Sequence, residues 1–337
     1  MKKISAVVAV AVPAVLAWLL LQPTSPELTV RTAEMMSTAV LVSLRGDDAE
    51  GSGAAIAFAA IKEVERVCNR FDPQSELSRL NATAAEHPVE CSEMLWEVLL
   101  LSREAHRLSG GSFDISATPL MTLWGFYRRR AELPGAEEVA AALELVGLDK
   151  VVFNDEVRSV YFTLPGMSFD LGGIAKGYAV DRAVEALAAA GFTEGVVSLG
   201  GNLRTLGEPP LGEAGYSVSI RDPLDTTKTF GRMLLLDEAV ATSGGYERFV
   251  EIGGRRYGHI MNPATGRPAE GVLSATVIAP TAALADALST AIFVGGAELA
   301  EQLHATRPEL RIVIMTPKPS GFEVRLLPEN MEVGGVK

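Results

Sequence analysis

Cysteine is almost missing from this chain. Cys68 and Cys91 are the only two in 337 residues, so no metal-ligand cysteine pattern can be built. One disulfide and two free thiols are the remaining alternatives. Positive charge is also short. The net charge is −12, and −14 once Lys2 and Lys3 are set aside. That balance argues against a nucleic-acid partner. An acidic protein that binds a polyanion needs a local cation, so the charge itself points toward a metal. Two familiar phosphate signatures are absent as well: the G-x-x-x-x-G-K-[ST] loop and the G-x-G-x-x-G fingerprint. Any nucleotide must therefore be held by another geometry. There is no internal repeat and no low-complexity tract.

The first 25 residues carry only the charges of Lys2 and Lys3. An apolar run from Ile4 to Leu21 follows, broken by Ser5 and Pro13, and leads into Gln22-Pro23-Thr24-Ser25. This order fits a signal sequence or an N-terminal anchor. No cysteine follows for lipid attachment, and no A-x-A cleavage site stands after Leu21. Residues 1–25 are therefore expected to be an uncleaved anchor in the inner membrane, with a cleaved signal as the alternative. The two lysines would stay in the cytoplasm and the body would lie on the periplasmic side. Residues 26–34 read as a linker, and 35–330 as the body, long enough for one large domain or two lobes.

The most informative segment is Asp170-Leu171-Gly172-Gly173-Ile174-Ala175-Lys176-Gly177-Tyr178. It reads as a strand end, a glycine turn and a helix start. Backbone N–H groups and Lys176 would stand where a helix N-terminus receives phosphate oxygens. Asp170 suits ribose, a flavin-like ring or a metal ion better than phosphate. The bland alternative is an ordinary connection with a solvated lysine.

Asp286 and Thr290 are spaced i, i+4 in an alanine-rich helical segment, so they share one face. A carboxylate and a hydroxyl one turn apart are hard oxygen ligands of the kind Mg²⁺ takes along with water and phosphate oxygens. The alternative is a buried Asp–Thr hydrogen bond. His259 stands at a strand end before Asn262-Pro263. It is the candidate general base, against a purely structural role. His87, His106 and His304 look like surface residues. Glycine turns at Ser198–Asn202 and Ala241–Arg248 either bring backbone close to a ligand or simply reverse the chain.

The hydrophobic periods predict strands at Thr38–Arg45, Val196–Leu199, Tyr216–Ile220, Met233–Leu236, Ala275–Ala279, Arg311–Met315 and Phe322–Leu327. They predict helices at Ala54–Arg70, Ser92–Leu108, Ala136–Val146, Ala175–Ala190 and Thr281–Val294. Strand hairpins mixed with separate helices argue for an α+β fold.

The ordered motifs resemble the ApbE family of FAD:protein FMN transferases. They are Phe71-Asp72-Pro73 with Ser75 to Asn81, Gly111–Ile115, Pro119-Leu120, Leu123–Phe126, Asp170–Asp181, Thr242–Tyr246, Gly258–Ile260 with Pro263, Gly266 and Pro268, and Asp286 with Thr290. The resemblance implies mixed or antiparallel sheets with packed helices and an FAD cleft between two lobes. It implies that Met36, Phe71, Ser112, Phe113, Asp114, Asp170, Lys176 and Ile260 line the FAD site. It implies Mg²⁺ held by the Gly173 carbonyl, Asp286 and Thr290. Relatives often have Tyr at the position of Phe71 and Gly at that of Ser37. They often have Asn and Asp at the positions of Ser198 and Asn202, changes expected to touch the third glycine turn and not the chemistry. The implied reaction moves FMN from FAD to a threonine or serine hydroxyl and releases AMP, with Lys176 and His259 as catalytic groups. The implied acceptors are proteins of membrane redox complexes. A FAD pyrophosphatase and a non-catalytic periplasmic flavin-binding protein are the alternatives.

Overall fold

Val40, Val42 and Leu44 alternate with more exposed neighbours, so Thr38–Arg45 buries one side only. In the computed structural model, which describes residues 28–46, 50–128, 130–209, 212–245 and 248–335, that segment belongs to an eight-stranded sheet. The strands are β1 (Leu28–Met35), β2 (Thr38–Arg45), β3 (Glu194–Leu199), β4 (Asn202–Gly207), β5 (Ala239–Gly244), β6 (Ser274–Ala279), β7 (Arg311–Pro317) and β8 (Phe322–Leu327). Spatial order follows chain order, and every neighbouring pair is antiparallel.

Residues 28–34 are therefore strand, not linker. β1 alternates half-buried with exposed residues at the sheet edge, so it lacks the apolar signal that marks β2. Met36 and Ser37 join the two strands with φ of 48° and 59°. Both are left-handed, as a two-residue hairpin turn requires, which is why glycine suits position 37. The anchor expected over 1–25 lies outside the described residues.

The helices are α1 (Ser52–Cys68), α2 (Glu76–Thr83), α3 (Glu93–Leu108), α4 (Thr118–Leu123), α5 (Ala136–Leu143), α6 (Ala175–Ala189) and α7 (Ala282–Thr306). α2 and α4 are too short to show a period. α2 starts because Ser75 accepts a hydrogen bond from the Ser78 amide. α7 runs past the expected end at Val294. Gly296, with φ 72°, breaks it, and the helix resumes to Thr306.

α1 packs on α6, α6 on α7, and α7 on β5 and β6. Ala239, Ala241, Ala275 and Ala279 share this core with Ala282, Ala283, Ala285, Ala287 and Ala291 of α7. Small residues on both sides let the helix lie close to the sheet. On the opposite face, Val240, Ile278, Val313 and Met315 pack with Ile220, Met233 and Leu235 of the hairpin Tyr216–Arg221/Thr229–Leu235. β6 is thus covered on both sides, and all six of its residues are buried. By length and composition α7 could cross a membrane, yet here it fills the core. A third cluster joins Leu120 and Trp124 to Val146 and Met261. Within it the Trp124 indole N–H donates to the Gly266 carbonyl at 2.8 Å and pins the loop after His259.

Candidate active site

The chain enters the site through Phe169 and Asp170, which are irregular backbone and not the expected strand end. Asn81 holds Phe169 from both sides. Its amide N–H donates to the Phe169 carbonyl at 2.9 Å, and its carbonyl accepts from the Phe169 N–H at 2.7 Å. The Asp170 N–H donates to the Ile115 carbonyl at 2.8 Å. The Asp170 carboxylate then accepts from the Gly172 N–H at 2.7 Å and from the Tyr127 hydroxyl. This shapes the glycine turn that opens α6.

Lys176, in the first turn of α6, donates to the Gly172 carbonyl at 3.1 Å and lies 3.4 Å from Asp286 Oδ2. Asp286 is only 4% exposed. Its Oδ2 also accepts from the Gly177 N–H at 3.0 Å and from the Asn202 side-chain amide at 2.8 Å. One amide at the start of α6 thus serves Asp286 instead of standing open for phosphate. Asn202 follows the turn Gly200-Gly201, whose φ of 58° and 92° fit the β3–β4 hairpin. The third glycine turn is therefore part of the site: it delivers the amide that holds Asp286.

Asp181 fixes the two helices against each other. Its carboxylate accepts from the Ala282 and Ala283 N–H groups, each at 2.8 Å, and from Arg204 Nη1 at 2.8 Å. Burial pushes its pKa up, against the pull of those hydrogen bonds. It caps the start of α7 from within α6, so the positions of Lys176 and Asp286 are set together.

Thr290 lies one turn beyond Asp286, against the Gly173 backbone. A Cβ built on Gly173 would stand 3.4 Å from Thr290 Oγ1 and 3.0 Å from Phe113. The structure thus gathers Gly173, Asp286 and Thr290 in one corner. Among the described residues no three His, Cys, Asp or Glu side chains cluster. A cation here would rely on one carboxylate, one hydroxyl and backbone oxygen. That donor set fits Mg²⁺, which keeps open positions for water and substrate phosphate.

His259 is half-buried at the end of the hairpin Phe249–Ile252/Arg255–Gly258. Burial draws its pKa down to about 4, with the Arg248 carbonyl pulling the other way and the charges of Arg248 and Lys176 adding to the fall. The imidazole is therefore neutral at pH 7. Its Nδ1 lies 3.2 Å from the Arg248 carbonyl, which can only accept. Nδ1 thus carries the proton, and Nε2 keeps a free lone pair.

Phe71 is 67% exposed, an open aromatic face suited to a flat ring. It meets Tyr127 edge-on at 5.6 Å. The Arg70 guanidinium lies 4.0 Å over the Tyr127 ring and 3.9 Å from Asp170. Arg70 Nε and Nη1 are buried without an acceptor among the described residues. Neither Arg70 nor Tyr127 was marked by any local period. Only the nearness of Tyr127 to Leu123-Trp124-Gly125-Phe126 hinted at it.

The other expected lining residues divide. Met36 is half-buried, and its N–H donates to Glu65 at 3.1 Å. Ser112 lies against Gly295 of α7. Phe113 and Ile260 are buried in the main core, Phe113 beside Gly173. Asp114 turns inward. One carboxylate oxygen accepts from the Ser116 N–H at 2.7 Å and from its hydroxyl at 2.6 Å, and the other lies 3.5 Å from His106. Burial raises its pKa. These contacts tie the carboxylate to the fold. His106 is not a surface residue either, since it also contacts the Phe113 carbonyl at 2.9 Å. The second glycine segment is mostly strand β5, with Tyr246 outside the described residues. Cys68 and Cys91 are buried free thiols, each pushed up to about 12 by burial.

Residues 36–314 match the model of the ApbE family. The FAD:protein FMN transferase of Haemophilus influenzae is 32% identical over 272 residues, 78% of each chain. That of Treponema pallidum is 34% identical over 255 residues, 72% of this chain and 70% of the relative. The crystal structure of the ApbE protein of Thermotoga maritima superposes with a TM-score of 0.80 at 30% identity, covering 89% of this chain and 97% of that one. With a match that spans strands β2 to β6, the site-bearing parts of α6 and α7 and the Asp170 turn, the chain belongs to the ApbE family.

Proposed function

We propose that this protein transfers FMN from FAD to a threonine or serine hydroxyl of an acceptor protein, with release of AMP. The observation that carries this reading is the corner where Asp286, Thr290 and Gly173 meet beside Lys176, within the electrostatic reach of His259. The names of the relatives support the transferase activity. The donor set supports Mg²⁺.

The reaction breaks the FAD pyrophosphate at the flavin-side phosphorus. The acceptor oxygen forms the new P–O bond, its proton goes to a base, and AMP leaves with the electron pair of the bridging oxygen. Bound Mg²⁺ would neutralise pyrophosphate charge as a Lewis acid. Asp286, Thr290 and the Gly173 carbonyl would hold it. Lys176 adds a second positive charge at the same edge. Phe71 offers an open ring face, with Tyr127 and Arg70 packed behind it. His259 Nε2 takes the acceptor proton.

The test uses the protein with FAD, Mg²⁺ and an acceptor from a membrane redox complex. The acceptor should gain the mass of one FMN and fluoresce in a denaturing gel, with AMP in solution. Free FMN and AMP without labelled acceptor would mark a pyrophosphatase, and intact FAD a binder. The apolar N-terminal run supports a further part of the proposal, that the enzyme works at the periplasmic face of the inner membrane.

The pH dependence follows from His259. The neutral imidazole is the competent form, and it persists above its pKa of about 4. The acid limb of kcat/KM should therefore lie near that value, well below the ordinary histidine range around 6.5. His259→Gln should lower kcat by roughly 10²-fold or more and remove the limb. A wild-type limb at 6.5, unchanged in the variant, would assign the base elsewhere.

A further inference from the structure

Behind Thr290 lie two linked hydroxyls, Ser243 and Ser289, that no part of the reaction has yet used. Ser243, in β5, lies 2.9 Å from Ser289 Oγ and 3.2 Å from Thr290 Oγ1. Ser289 lies 2.9 Å from the backbone carbonyl of Asp286, one turn earlier in α7. Ser289 is fully buried, and Ser243 nearly so.

The direction of each hydrogen bond follows by counting protons. A hydroxyl has one proton and two lone pairs. The Asp286 carbonyl has no proton, so Ser289 must donate to it. With its proton committed, Ser289 can only accept from Ser243. The Ser243 proton is then committed as well, so Ser243 can only accept from Thr290. The chain runs one way: Thr290 to Ser243 to Ser289 to the Asp286 carbonyl. Thr290 is thereby a donor toward the sheet, and among the described residues no donor occupies either of its lone pairs.

The geometry points to Ser243 and Ser289 as positioning residues for the cation site. They turn the Thr290 proton away from the corner and present its lone pairs there, beside Gly173 and Asp286. This rests on the proposed cation at Asp286 and Thr290. It goes further by assigning two residues that touch neither metal nor substrate. The alanines that share this core explain how a strand serine can reach a helix at hydrogen-bond distance. A single reversal has a distinct effect. Without the Ser289 hydroxyl, Ser243 is free to donate to Thr290, which then spends a lone pair and can swing its own proton toward the cation.

Mn²⁺ is the probe, since the same hard oxygen donors bind it. Its binding to the FAD-loaded protein is read by electron paramagnetic resonance of the free ion, and folding by circular dichroism and thermal midpoint. Ser243→Ala and Ser289→Ala should each raise the Mn²⁺ Kd roughly tenfold, the low end for losing a partner that orients a metal ligand. The double variant should be no worse than Ser243→Ala alone, because either change breaks the same chain. In a Thr290→Val background, Ser243→Ala should have no further effect. Unchanged Kd in both serine variants, or losses that multiply in the double variant, would overturn the relay. Asp286→Ala separates this from the underlying reading. If it abolishes Mn²⁺ binding while the serine variants bind normally, the relay alone fails. If Asp286→Ala binds Mn²⁺ like the wild type, the cation site itself is wrong.

Discussion

Asp286→Ala is expected to abolish FMN transfer, by roughly 10³-fold or more, in a protein that still folds. Asp286 is the carboxylate in the corner with Thr290 and Gly173, and among the described residues no group of three His, Cys, Asp or Glu side chains is placed to hold an ion instead. Its loss removes the anionic ligand and leaves the Lys176 ammonium without a counter-charge. The fold has a cost to bear as well. The Gly177 N–H and the Asn202 amide lose their shared acceptor, at about 1–3 kcal/mol for each buried donor left unpaired. Some of this is recovered if water enters the space. Asp286→Asn is the sharper probe, because its shape is nearly unchanged. Its NH₂ must face at least one of Lys176, Gly177 and Asn202, all of which are donors. Both variants should retain the wild-type circular dichroism spectrum and show neither acceptor labelling nor AMP release. Labelling that survives at saturating Mg²⁺ would remove Asp286 from the reaction.

The second large effect is on the framework. Gly177→Ala should destabilise the protein by about 3 kcal/mol or more and disable whatever remains folded. A Cβ at Gly177 would stand 2.1 Å from the Ala282 carbonyl oxygen, 2.5 Å from its carbon and 2.8 Å from the Ala283 Cα. All three are backbone atoms, so no side chain can rotate out of the way. α6 and α7 would have to part at the point where Asp181 binds both Ala282 and Ala283. In an exposed helix interior the same change stabilises by up to about 1 kcal/mol, so even the sign is diagnostic. Chemical denaturation, followed by a transfer assay on the folded fraction, reads both effects. A variant as stable as the wild type would mean that the helices do not touch there.

Strands with one apolar face were legible in the sequence, and Thr38–Arg45 matches its expected bounds. β4 and β5 were not, because their residues answer to distant neighbours. Apart from Val240, which faces the other side, Ala239–Gly244 is alanine, hydroxyl and glycine, and α7, some 40 residues later, lies against it. Read locally, such a segment looks like a turn. The i, i+4 spacing of Asp286 and Thr290 exposed half of the site, since both stand on one helix. The other half comes from Arg70 and Tyr127, ordinary in their local settings, and from Asn202 and Ser243, which stand in marked glycine segments but act through side chains that meet α7 only in the fold. Asp114 shows the converse. It stands in a family motif beside aromatic Phe113, yet its carboxylate serves Ser116 and His106 inside the fold.

The amides that carboxylates hold at the two helix starts have a dynamic consequence. The N–H groups of Gly177, Ala282 and Ala283 are buried and bonded to Asp286 or Asp181. They should exchange with deuterium only when the whole domain unfolds, since no smaller opening frees them. Catalysis then proceeds on a rigid floor. Any adjustment that admits and releases a ligand is left to residues off this floor, such as Phe71, which stands open to solvent.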